Sequence, residues 1–140
     1  MARVPRYKLA DTAQQVVGGF LLAGPFVVTE EVWNLAEQMS WLHSLVTVVI
    51  VFAIGYGALY RADDDRDPDR EAEVAGVPLR FVSLMVVSFG SVAVLAVTLT
   101  APTTFLADLP PGRQLEVTVR AVGVGAIFSV VGAATADSVF

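Results

Sequence analysis

The chain has 140 residues, 55% hydrophobic and only 16% charged, against about 25% charged in a soluble domain, so its composition belongs to a membrane. It has no cysteine, which excludes disulfides, thiol catalysis and cysteine-based metal sites, and its single histidine leaves no histidine-rich metal site within one subunit. The formal net charge is −5 and Lys8 is the only lysine, which argues against the basic stripe of a nucleic-acid binder.

The acidic, lysine-poor polar surface also suggests a high-salt cell, where carboxylates keep a screened surface hydrated. A hydrocarbon core about 30 Å thick needs about 20 mostly apolar residues per helix. Four stretches come close, at about 12–33, 41–60, 81–101 and 117–140. The expected fold is a single domain, an all-α bundle of four transmembrane helices. The β-branched run Val46–Phe52 would suggest a strand in water. In lipid, a run this long must satisfy its own backbone and is read as helix.

The N-terminal tail carries Arg3, Arg6 and Lys8. The loop at 61–80 carries Arg61, Arg66, Arg70 and Arg80. Four spans put both segments on one side, and the bias of basic residues makes that side cytoplasmic. The protein is expected in the cell membrane with both termini inside. Trp33 and Trp41 then mark the outer boundary, with Tyr7 and Tyr60 at the inner one.

Span one holds Gly19, Gly24 and Pro25, then Glu30 and Glu31. Pro25 removes a backbone donor and can kink the helix. Glu30 lies about 26 Å along the span from Ala13 at 1.5 Å per residue, near the edge of the hydrocarbon core. Adjacent helical residues point about 100° apart, so the two carboxylates cannot share a face. Two readings stand: carboxylates facing a neighbouring helix, or carboxylates in the headgroup region facing water.

Span two begins with Trp41 and includes His43. The loop after it is the most charged part of the chain. Asp63, Asp64, Asp65, Asp67 and Asp69 lack the glycine and glutamate spacing of a calcium loop and read as a solvated turn. Span three is uncharged. The connection that follows holds Pro102, Pro110, Pro111 and Gly112, with room for a short interfacial turn around Phe105–Leu106.

Span four carries Arg120 near its start and Asp137 near its end, about 25 Å apart along the helix. Arg120 matches the expected depth of Glu30, Glu31 and His43, which suggests an outer polar cluster; the alternative is an arginine snorkelling alone. Asp137 matches the depth of Gln14 and Gln15, which suggests an inner cluster; the alternative is a helix end meeting water. Gly125, Ser129, Gly132 and Ala136 form a stripe of small residues, read as helix packing or as an oligomer contact or pore wall.

Three segments carry a family likeness: Gly18–Trp33, Gly55-Tyr-Gly57 and Gly132-Ala-Ala-Thr-Ala-Asp-Ser138. They resemble an uncharacterised prokaryotic family of integral membrane proteins, well represented among halophilic archaea, over most of the chain. That family places an acid after a Gly/Pro-containing first helix and before a tryptophan, where Glu30, Glu31 and Trp33 stand here. The resemblance implies fold and habitat and brings no activity.

Ionisable groups at membrane depth are costly and point to function. The leading expectation is an oligomeric channel or small transporter for a monovalent cation or protons. Glu30 or Glu31 would attract the cation, Arg120 would set their charge state, and Asp137 would serve the inner mouth. The alternative is a non-conducting accessory protein that binds a partner. No nucleophile–base pair, phosphate loop or metal motif is present, so no enzyme, cofactor or metal is expected.

Overall fold

The structure is a computed structural model that describes residues 9–61, 73–74 and 76–139. The basic tail (Arg3, Arg6, Tyr7, Lys8) and the loop residues Asp63, Asp64, Asp65, Arg66, Asp67, Asp69 and Arg70 lie outside the described residues. Six α-helices follow in order: α1 Leu9–Val27, α2 Glu30–Gln38, α3 Trp41–Tyr56, α4 Leu79–Thr98, α5 Ala101–Phe105 and α6 Pro111–Val139. A π-helical turn, Gly57–Arg61, extends α3. A two-stranded antiparallel hairpin, β1 Glu73–Val74 with β2 Val77–Pro78, leads into α4, and Gly76 takes positive φ at its tip.

Among the described residues, three segments are each long and apolar enough to cross a membrane: Trp41–Tyr60, Leu79–Thr98 and Pro111–Ser138. The pair α1 and α2 reaches that length and hydropathy together, but the two helices are bent by 80°. The molecule is thus an all-α polytopic bundle with three to four spanning helices. Its long helices alternate in direction, so one end of the bundle gathers the start of α1, the start of α4 and the end of α6. This is called the Asp137 end here, and the opposite end the Trp41 end.

Helix α6 starts at Pro111 rather than near 117, which puts Arg113 and Glu116 on the helix that carries Arg120, and two further segment boundaries differ from expectation in ways that move functional residues. Span one does not run to Trp33. It stops at Val27, and Thr29 caps a new helix, its side-chain oxygen accepting the Glu31 amide at 3.2 Å. A capping threonine followed by two acids in the first turn is a strong start signal, and Pro25 has already removed a backbone bond from the last turn of α1. Trp33 is buried rather than placed in the aromatic belt, and its indole donates to the Val27 carbonyl at 2.9 Å, satisfying a group left open by the end of α1. At the other boundary α4 begins at Leu79, so Arg80 belongs to the helix and not to the loop.

The bundle is built on α1, α4 and α6. Helices α1 and α6 meet backbone to backbone: a Cβ placed on Gly18 would lie 2.1 Å from the Gly132 carbonyl oxygen, and one on Gly132 would lie 2.2 Å from that of Gly18. Gly19 faces Ser91 and Ser129, and Gly125 takes the methyls of Val92. Ser129 donates to the Gly19 carbonyl across the same contact at 3.1 Å. Gly24 has open space beside it and takes no part in close packing. Most other hydroxyls do not cross between helices. Thr47, Ser88, Ser91 and Thr118 each return to the carbonyl four residues back in their own helix.

Candidate functional site

A buried ion pair lies at the Asp137 end. The side chain of Arg80 is 2% exposed and that of Asp137 fully buried. Arg80 Nη1 donates to Asp137 Oδ1 at 2.7 Å, and its Nη2 to Asp11 Oδ2 at 3.2 Å. Gln15, fully buried, gives its amide to Asp137 Oδ2 at 3.1 Å and accepts from Ser83 Oγ at 2.6 Å. Thr12 meets Ser83 Oγ at 3.0 Å. The network therefore ties α1, α4 and α6 together through six side chains.

Local sequence explains the gathering. Asp11, Thr12 and Gln15 recur at helical spacing on one face of α1, and Arg80 and Ser83 are three apart on α4. Two of the charges oppose their own helices. Arg80 sits at the positive N-terminal end of α4, and Asp137 at the negative C-terminal end of α6. Neither is held there by helix capping; they pair with each other, with Asp11 beside Arg80 and Gln15 beside Asp137.

The Trp41 end is arranged differently, and the expected outer cluster does not assemble. Glu30 and Glu31 are exposed in the first turn of α2, turned away from the bundle by the elbow. Glu31 is engaged by Thr29, whose hydroxyl, with a backbone amide, holds its carboxyl below the ordinary value. His43 is exposed and completes a capping box at the start of α3: the Ser40 amide donates to its Nδ1 at 3.1 Å, and its own amide donates to Ser40 Oγ at 3.3 Å. Arg120 is 4% exposed, but its carboxylate partner is Glu116 on its own helix, and its guanidinium lies 4.8 Å from the centre of the Trp41 ring. Similar depth brought these four residues to one level; the elbow and the helix rotations set them apart.

A family model described as "Putative integral membrane protein (DUF2391)" matches residues 3–139. The chain belongs to this family. No curated protein and no solved structure matches it. Membership makes it an integral membrane protein in contact with the lipid bilayer, in accord with the spans above.

At the Asp137 end, Asp137 and Gln15 were legible in the sequence, whereas Arg80, Asp11 and Thr12 were not. Gln14, expected beside Gln15, keeps its Oε1 buried without a partner. The available signal for Arg80 was Pro78, which precedes the helix and puts Arg80 in its first turn. The spacings Asp11/Gln15 and Arg80/Ser83 then give one polar face on each helix.

Proposed function

We propose that this protein is a small transporter or channel for protons or monovalent cations, working as a homo-oligomer in the cell membrane. The buried Arg80–Asp137 pair, rather than Glu30 and Glu31, is its working centre. The observation that carries this reading is that two charges opposed to their helix dipoles lie buried where three helices converge. Such groups are expensive at membrane depth. A proton reaching Asp137 neutralises it and loosens its hold on Arg80, which keeps Asp11, so the ionic tie between the end of α6 and the start of α4 is weakened. That is a switch a proton can throw. Several copies are invoked because one small bundle is too narrow to enclose a wide pathway. The arginines of the loop support a cytoplasmic Asp137 end with both termini inside, and the acidic, lysine-poor polar surface supports a high-salt cell. The absence of cysteine and the use of His43 in capping favour transport over catalysis.

The test is proton flux in proteoliposomes carrying wild type or Asp137→Asn, read with an entrapped pH dye. Wild type is expected to dissipate an imposed pH gradient, and the variant to fall to the rate of empty liposomes. A wild type no faster than empty liposomes, or a variant as fast as wild type, sinks the proposal.

A second reading is a non-conducting accessory subunit. It is favoured by the closure of the same network, in which Gln15, Ser83 and Thr12 all have partners. It predicts a co-purifying membrane partner and no flux from the protein alone.

A further inference from the structure

Helices α3 and α4 touch in the half of the bundle nearer the Asp137 end. There Gly55 admits the Met85 methyl and Phe52 lies 5.8 Å from Phe81, ring centre to ring centre. Toward the Trp41 end they part. The gap is a cleft of about 330 Å³, lined by Ser44, Thr47 and Val48 of α3, Phe89 and Ala93 of α4, and Arg120 and Gly123 among residues of α6. Small side chains keep it open.

Its wall is apolar except at one end. Arg120 is the only ionisable group in the lining. The Nε of Arg120 and the Oγ of Ser44 are both buried without a hydrogen-bond partner, and unmade bonds of this kind are costly in a membrane protein. Glu116 is shared between Arg120 and Arg113, the latter at 3.1 Å, so two guanidinium groups face one carboxylate. The polar end lies beside Trp41, which is 59% exposed at the head of α3, where an interfacial tryptophan belongs. From there the cleft runs inward to Phe89, in the middle of α4. A charged mouth at the interface and an apolar slot below it match the shape of a lipid. At roughly 30 Å³ per water-sized group, the slot has room for a chain of about ten carbons.

We infer that the cleft between α3, α4 and α6 binds one hydrocarbon chain of an anionic phospholipid, with the headgroup phosphate accepting hydrogen bonds from Arg120 and Ser44. The site is separate from the Arg80–Asp137 pair and does not depend on transport.

Retention of phosphatidylglycerol and phosphatidylcholine by the detergent-purified protein, measured by native mass spectrometry and by thermal unfolding, tests it. Wild type is expected to keep phosphatidylglycerol several-fold more tightly, because both phosphates can meet Arg120 but only phosphatidylcholine brings a choline cation beside the two guanidinium groups, and to melt higher with it. Arg120→Gln should erase the preference. Ala93→Leu, which fills the slot and leaves the arginine in place, should lose both lipids; this variant decides the matter if Arg120→Gln does not fold. Equal retention of the two lipids by wild type overturns the inference, as does an unaltered preference in Ala93→Leu. So does an equal rise in melting temperature with glycerol phosphate alone, which would mark an anion site with no place for a chain.

Discussion

Arg80 shows how a charge comes to be buried at the edge of a membrane bundle. Its guanidinium meets carboxylates from α1 and α6 at the end of α4 where the helix dipole is unfavourable to a cation. Removing one member of a buried pair costs about 3–5 kcal/mol, because the other charge is left uncompensated. Arg80→Gln, which strands the Asp137 carboxylate, is expected to lower unfolding stability by about that amount, and Asp137→Asn, which leaves Arg80 its Asp11 partner, by less. The double variant, with two neutral amides, should lose less than the sum. Equal and additive losses in a thermal or denaturant series would show that the two residues do not act as a pair. Trp33 is a second instance of a residue whose role comes from its neighbours: an aromatic expected at the lipid interface turns inward because the Val27 carbonyl needs a donor.

At the scale of elements, the contact between α1 and α6 depends on two glycines and the elbow on one threonine. Side chains at Gly18 or Gly132 would displace backbone and not merely a flexible neighbour. Gly18→Val is therefore expected to abolish the folded bundle, read as loss of a monodisperse peak in size-exclusion chromatography. Gly24→Ala should leave it intact or slightly firmer, since alanine is favoured over glycine in a helix by about 1 kcal/mol and finds open space there. A reversal of these two outcomes would mean that the helices cross elsewhere. The elbow was hard to read because Val27-Val28 carries the apolar run past the point where the helix ends. Pro25 permits the stop, and Thr29 with the acids behind it announces the new helix.

At the scale of the molecule, the spanning stretches were legible because apolar runs of about 20 residues have few other uses. Membership of the integral membrane family agrees with that reading. The site was legible in part. Asp137 and Gln15 stood at matching depth on spans that proved to be neighbours. Arg80 was hidden because an arginine beside a charged loop reads as part of it. The level of Glu30, Glu31, His43 and Arg120 could be estimated from 1.5 Å per residue, but level says nothing of rotation about a helix axis or of a bend. The elbow sends the two glutamates outward, capping occupies His43, and Glu116 takes Arg120.

Proton flux and melting temperature measured on the same proteoliposome preparations of wild type, Asp137→Asn and the double variant Glu30→Gln/Glu31→Gln test the central claim most directly. The account predicts that Asp137→Asn loses flux while still folded at the assay temperature, and that the double glutamate variant conducts as wild type does. Flux that survives Asp137→Asn and disappears with the two glutamates would contradict it, and would return the working centre to the Trp41 end.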